Sequence, residues 1–482
     1  MRSKLPLRKP RSRAKDGPAF VFVDTTENDG QGEDARALVR RQAARSGRKN
    51  QHSKRGGSTT LVRQDASPQN QSPRIVLSPQ PSYTGYEALR IQYNFDITSL
   101  TTFTDIDLGS SASSLLQEQP NLLSSLLRKQ SSSFLSYLPG RYGSSPCLDD
   151  AMRCLSARAG QMFGVPIRFS TMTALYGKAL KSLLLALTNG TAYMDADVYC
   201  ATRLLTLYEL ISRPEANHWV IHNKGGINLI EMRGPANHQT RFDWMLLKSQ
   251  GPSIVVDEVL RMQHSIFEAH PWQDLFAEAS RVETDLDSSL WWDFFALICF
   301  IPGIFTEMRE LEPGLIPPSE FFTRSSDILR RANWIRDRIH AIHDRYQQTS
   351  PYPPSLFDLP VASESPDRIR LRGFFILTLL QICRVLSTIS VTEEQRAAAE
   401  AEAQKMAEQV LLIQKTTVSS DPAMSWYLEQ RTGLALAIIR TGPLWSTERE
   451  HTLSCEISEF LASRWWEWVT FKHKYLQEAL ES

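Results

Sequence analysis

Pro146-Cys147-Leu148-Asp149-Asp150-Ala151-Met152-Arg153-Cys154-Leu155-Ser156-Ala157-Arg158-Ala159-Gly160-Gln161-Met162 is the stretch from which the fold of this chain is read. Leu148, Met152, Leu155, Ala159 and Met162 recur at three-to-four spacing, which places them along one side of a helix that turns every ~3.6 residues. The next segment repeats the pattern with Leu175, Ala179, Leu180, Leu183, Leu184 and Leu187, and Asn189-Gly190 closes it. A third helix runs from Asp195 through Cys200, Leu204, Leu205, Tyr208 and Ile211 to a break at Arg213-Pro214. A fourth runs from Trp219 to Met232, with Gly234-Pro235 as its stop. Working outward, helical periodicity predicts further helices over 253–268, 285–301, 319–347, 366–391, 393–414, 423–440 and 449–480, and the body carries no alternating strand of five or more residues. The helices are of uneven length and show no fixed-period consensus, which argues against a solenoid. The expected fold class is all-α, an irregular multi-helix bundle preceded by a disordered basic N-terminal arm.

Composition divides the 482 residues into three parts. Residues 1–82 form the arm, rich in Arg, Lys, Ser, Gln and Pro, with too few apolar groups to offset the entropy of ordering. Residues 1–80 carry 17 Lys or Arg against seven Asp or Glu, while the whole chain has a formal net charge of +1, so the base is concentrated in front and the body is negative. Within the arm, Asp34 to Arg45 combines good helix formers with Arg36, Arg40 and Arg41 and stops before Gly47. Residues 83–145 alternate aromatic and Leu patches with Ser clusters and read as a tether bearing short helices. Residues 146–482 form the helical regulatory domain, which the five-proline loop near 349–366 is expected to divide into two halves.

The six cysteines, Cys147, Cys154, Cys200, Cys299, Cys383 and Cys455, show neither the short paired spacings nor the density of a disulfide scaffold, so they read as reduced core thiols of an intracellular protein. The start from Met1 to Lys15 is basic throughout and lacks the apolar stretch of an export signal. The apolar run Leu290 to Phe305 contains Asp293 and falls short of the ~20 residues of a membrane helix. It reads as a buried helix ending at a Pro302-Gly303 turn, and no membrane partner is expected.

A search for chemistry turns up little. His218 and His222 stand four apart on one helix side, but His-Trp-Val-Ile-His lacks the internal Glu of a zinc protease and has no nearby ligand at the right spacing. His340 and His343 lie on a highly charged helix and read as solvated. No Gly-x-Ser-x-Gly elbow or Ser-x-x-Lys pair stands in a plausible context, Tyr176-Gly177-Lys178 and Lys224-Gly225-Gly226 are not phosphate loops, and no βαβ unit offers a dinucleotide frame. The reading is therefore of a protein without enzymatic activity, cofactor or bound metal. The basic clusters Arg8-Lys9-Pro10-Arg11-Ser12-Arg13 and Arg40, Arg41, Arg45, Arg48 and Lys49 suit nuclear import or phosphate contact. Contacts of that kind give weak, non-specific nucleic-acid affinity through counterion release.

The order Trp219-x-x-His222-x-x-Gly225-Gly226-x-x-Leu229-Ile230-x-x-Arg233-Gly234-Pro235 resembles the middle of the fungal-specific transcription factor regulatory domain of the zinc-cluster type. It follows Leu204-Leu205-x-Leu207-Tyr208-Glu209 and precedes Phe242 and Pro271-Trp272, where that family has similar features. Arg141-Tyr142-Gly143-x-Ser145-x-x-Leu148-Asp149-x-Ala151-x-x-Cys154 and Tyr176-x-x-Ala179-Leu180 look like the family's opening helices, and Phe20-Val21-Phe22-Val23-Asp24 with Val39-Arg40-Arg41-x-Ala43-x-Arg45 looks like its front. No cysteine precedes Cys147, so the six-cysteine cluster that reads DNA in the full-length factors is missing. The resemblance implies a nuclear regulator of transcription acting through a helical interaction domain, with proteins as partners, either itself or zinc-cluster paralogues. The alternatives are a cytoplasmic scaffold or dimerisation partner of such paralogues, or an accessory protein or enzyme of fungal secondary metabolism. Read from the residues alone, Trp219, His222, Gly225, Arg233, Gly234 and Pro235 hold the bundle together: a large apolar surface, close helix approach, and a cation at a helix C-terminus.

Overall fold

A computed structural model describes residues 85–104, 123–130, 132–188, 190–212, 218–311, 317–348, 366–417 and 432–443. The chain divides between Ser82 and Tyr83, and every described residue lies on the second side. The basic clusters from Arg8 to Lys49, the loop at 349–365, Cys455 and the helix expected over 449–480 fall outside the described residues.

The described chain is all-α. Its helices of eight residues or more are α1 (Gly85–Gln92), α2 (Pro146–Met162), α3 (Phe169–Leu187), α4 (Ala196–Ser212), α5 (His218–Arg233), α6 (Arg241–Arg261), α7 (His270–Val282), α8 (Leu286–Ile298), α9 (Ile301–Glu310), α10 (Pro318–Gln348), α11 (Pro366–Ile389), α12 (Glu393–Thr417) and α13 over 432–443. Among the described residues there is no strand, only one isolated parallel bridge between Leu100 and Arg128.

Local chemistry explains most boundaries. Pro146 sits in the first turn of α2, where a missing N–H costs nothing. Asp285 caps α8 by accepting from the Ser288 N–H at 2.9 Å. Two sequence expectations need correction here. The helix expected over 253–268 starts at Arg241 and ends at Arg261. Gly251-Pro252 looks like a boundary but lies inside α6, where a side chain on Gly251 would collide with the Phe295 ring, 2.4 Å from Cζ, so the glycine permits close approach to α8. The Pro302-Gly303 pair does not terminate a helix either, since Pro302 stands in the first turn of α9. Of the helix expected over 423–440, residues 432–440 are described and helical, in a helix that runs on to 443, and 423–431 lie outside the described residues.

Two cores organise the body. The first gathers α2 to α8 around Leu148, Leu155, Cys200, Leu204, Leu246 and an aromatic set in which Phe276 meets Phe295 edge-on at 5.0 Å. The described segments 85–104, 123–130 and 132–145 belong to this core: Ile97, Phe103, Leu126, Phe134, Leu135 and Leu138 are fully buried in it, and Gly160 of α2 lies so close to the Tyr93 carbonyl that a Cβ would stand 2.3 Å from its oxygen. These short helices are core elements rather than a tether. The second core gathers α9 to α13 around Phe305, Ile335, Ile339, Phe375, Leu379, Met406 and Ile438.

The division between the cores runs along α8 and not through the loop near 349–366. Trp292, Phe295 and Cys299 enter the first core, whereas Leu290, Phe294 and Leu297 enter the second. The proline-rich loop joins α10 and α11, which share the second core, so it punctuates the chain without separating packed units. A helix that is apolar all round is what such a position demands. The stretches Leu286–Glu310 and Leu371–Ile389 are long and apolar enough to cross a bilayer, yet both line these cores, and the second carries the buried Arg372 and Arg384.

His343 differs from its expectation as a solvated residue. It is buried, stacks on Tyr346 at 5.8 Å and meets Phe375 edge-on. The reason is register: Ile328, Ala332, Ile335, Ile339, Ile342 and Tyr346 form the buried stripe of α10, and position 343 lies four residues from Ile339 on the same side. His340 remains half-exposed, 3.7 Å from Glu402.

Candidate functional site

The joint between α5 and α6 holds the end of the motif, Arg233, Gly234 and Pro235. α5 ends at Arg233, and Gly234, at φ 62°, takes the left-handed turn that a side chain disfavours. Pro235–Asn237 form a single 3₁₀ turn, and Thr240 caps α6 in a capping box with Asp243.

Arg233 ties these pieces together. Its Nη2 donates to Asp243 Oδ1 at 2.6 Å and to the Asn237 carbonyl at 2.8 Å, and its Nη1 donates to the Met194 carbonyl at 2.9 Å. Asn237 returns a hydrogen bond to the Arg233 carbonyl. The other carboxylate oxygen of Asp243, Oδ2, accepts from Thr240 N at 3.0 Å and Thr240 Oγ1 at 2.6 Å. One carboxylate therefore caps α6 and neutralises the end of α5. The side chains of Arg233 and Asp243 are 1% and 6% exposed, so neither charge has water as a substitute partner.

His238 lies within this turn. Its Nδ1 donates to the Gly234 carbonyl at 2.9 Å, its own carbonyl accepts from Trp244 Nε1 at 2.8 Å, and its ring stands 5.3 Å from Trp272. Burial, helped by the Arg233 charge, pushes its pKa down to about 4, which keeps the ring neutral at physiological pH.

Further back on α5, His222 Nε2 is 3.2 Å from Tyr176 Oη of α3, and Tyr176 stacks on Tyr208 of α4 at 4.7 Å. Burial, with Glu209 alongside, raises the Tyr176 hydroxyl well above its ordinary value. The two glycines divide their roles. A Cβ on Gly225 would touch only Thr202 Cγ2 at 3.8 Å, but one on Gly226 would stand 2.4 Å from Gln250 Nε2. Fully buried Gln250 uses that closeness to donate to the carbonyl and Oδ1 of Asn223. Trp219 lies in the first turn of α5.

A second polar cluster occupies the turn after α6, where the two cores meet. Glu258 accepts from the Ile266 N–H at 3.1 Å through Oε1, while its Oε2 is buried without a hydrogen-bond partner. Glu268 faces His264 at 3.4 Å and presses on Gly303 of α9, where a Cβ would stand 2.3 Å from its Oε1. Burial pushes Glu258 up to about 7 and raises Glu268 in the same direction, so a proton is retained here near neutrality.

Sequence reasoning put Trp219, His222, Gly225, Arg233, Gly234 and Pro235 in one structural motif; the structure places Arg233, Gly234 and Pro235 at the joint, and Trp219, His222 and Gly225 further back along α5. It missed Asn223, Asn237, His238, Asp243 and Gln250. Of these, Asp243 was legible as the last residue of a Thr-x-x-acid cap before an apolar run, whereas Gln250 carries no local signal. Among the described residues no group of three His, Cys, Asp or Glu is arranged for a metal. Burial raises the thiols of Cys147, Cys154, Cys200, Cys299 and Cys383, so these sulfurs stay protonated and serve as packing. What this joint does chemically is hold two helices at a fixed angle through one buried ion pair.

Compared with family models, curated proteins and solved structures, the chain matches none. Fold and site define the class: an all-α, two-core bundle with a buried Arg–Asp joint.

Proposed function

We propose that the protein is a regulator of transcription that acts through its helical body on partner proteins, without a zinc-cluster DNA reader of its own. The observation that carries this reading is the motif from Trp219 to Pro235, which resembles that of the fungal-specific regulatory domain and which runs along α5 to end at the buried α5–α6 joint. The arrangement of the body agrees with a regulatory role. Because α8 contributes one face to each core, a ligand or partner that shifts one core shifts the packing of the other. The basic clusters at Arg8 to Arg13 and Arg40 to Lys49 supply import or general phosphate affinity under this reading.

The test is the location and chromatin association of the tagged full-length chain beside a version lacking residues 1–60. Nuclear, salt-sensitive chromatin retention that is lost with the arm supports the proposal. A protein that stays cytoplasmic in both forms overturns it in favour of a scaffold for zinc-cluster paralogues, whose mark is stable co-purification with such a paralogue.

A further inference from the structure

α3 is packed on one side only. Met172, Ala179 and Leu183 are buried beneath it, while Phe169, Leu180, Leu184 and Leu185 are 74%, 36%, 50% and 72% exposed. Phe169, Thr173, Gly177, Leu180 and Leu184 follow at spacings of four, four, three and four, so these exposed residues form one uncharged stripe along the helix. Nothing lies within 4 Å of a Cβ placed on Gly177, which leaves a shallow centre where another backbone can approach. The helix contains no Asp or Glu. Its exposed cations are Arg168, Lys178 and Lys181, of which Lys178 pairs with Asp150 at 2.8 Å. A monomeric surface rarely leaves four large apolar side chains together on one helix, and this one is bordered by positive charge.

The occupant it fits is an apolar helix edged by carboxylates, and the sequence of this chain offers a candidate. Beyond the last described helix stand residues 444–482, in which Leu453, Ile457, Leu461, Trp465 and Trp468 recur at three-to-four spacing. Residues 453–468 carry three Glu against one Arg, the sign that complements Arg168 and Lys181. As a helix, 453–468 would span about 24 Å, against about 28 Å for the 19 residues of α3. We infer that the segment 453–468 docks along the exposed face of α3, with Trp465 and Trp468 as its anchors.

Thiol cross-linking of the purified full-length chain tests this. The five described cysteines are buried, and Cys455 provides the second reactive position. Leu184→Cys on α3 and, as an off-site control, Arg330→Cys on the exposed side of α10 are each treated with a short bismaleimide. A docked segment gives a Leu184→Cys to Cys455 link about tenfold faster than the Arg330→Cys link, because docking raises the local thiol concentration. Replacing both Trp465 and Trp468 with Ser removes that preference, and so does Lys181→Glu in part. A product of monomer mass places the segment on its own chain, and one of dimer mass places it on a second copy; either supports the docking. Equal rates at both positions, or a preference untouched by the Trp changes, overturns it. Both cysteine sites are exposed, so folding is not at stake. The outcome is independent of nuclear location, so this inference and the transcriptional proposal fail separately.

Discussion

Removing either member of the Arg233–Asp243 pair is the sharpest perturbation available. Arg233→Met keeps the length and packing of the side chain but strands the Asp243 carboxylate, 6% exposed, and withdraws donors from the carbonyls of Asn237 and Met194. Loss of one partner of a buried pair costs about 3–5 kcal/mol. Asp243→Asn strands the guanidinium instead and weakens the cap on Thr240, which adds about 1 kcal/mol. With roughly 300 ordered residues and about 2 cal/mol/K of unfolding entropy per residue, a loss of 3–5 kcal/mol lowers the midpoint of thermal unfolding by about 5–8 °C. The double variant separates the pair from its surroundings. Once neither charge is buried, the combined loss is expected to be at least ~2 kcal/mol smaller than the sum of the single losses. The assay is urea unfolding followed by tryptophan fluorescence, backed by hydrogen exchange over α5 and α6 because two cores need not melt as one. Single losses below about 1 kcal/mol, or strict additivity in the double variant, would refute the view that this pair locks the joint.

Gly226→Ala places a Cβ against the Gln250 amide and is expected to cost about 1–3 kcal/mol, whereas Gly225→Ala, facing open contact with Thr202, gains up to ~1 kcal/mol from helix propensity; denaturant midpoints of the two variants check the contrast. Glu258 has a folded pKa of about 7 against an ordinary 4.5. Its carboxyl is protonated in both states at low pH, but between about 4.5 and 7 the unfolded chain ionises while the folded chain does not, so stability falls as pH rises through that window. Glu258→Gln is expected to remove this slope, on the order of 3 kcal/mol, in stability measured against pH. His343, with its pKa pushed to about 4 by burial, acts with the opposite sign. The unfolded chain takes up a proton as pH falls below about 6.5 and the folded chain resists until about 4, so stability is lost on acidification across the same range. His343→Phe is expected to flatten that acid limb when compared with the parent at each pH, and an unchanged limb would count against its burial among Tyr346 and Phe375.

Helix content and most helix positions were legible because they depend on residues three and four apart. Leu148 to Met162 predicted α2 to within two residues of its observed start, and Gly234-Pro235 marked the end of α5. Misreadings came where a local signal had a tertiary purpose. Gly251-Pro252 reads as a boundary, yet it lets α6 pass Phe295. Pro302-Gly303 reads as a stop, yet it opens α9. The loop at 349–366 reads as a divide, yet α10 and α11 share a core. In the candidate site, the motif positions from His222 to Pro235 were visible as a run, and the Thr240–Asp243 spacing announced a cap, but nothing near Arg233 named its partner.

What the sequence determined by itself was the all-α class, the course of most helices and the segregation of positive charge into residues 1–80, since all three follow from short-range periodicity and composition. Only the tertiary structure decided that the described parts of 85–145 belong to the core, that α8 serves two cores at once, that His343 is buried, and that Arg233 closes on Asp243. Each of these depends on which helix faces meet. That choice is set by contacts between residues far apart in the chain, whose joint burial outweighs what any one stretch prefers alone.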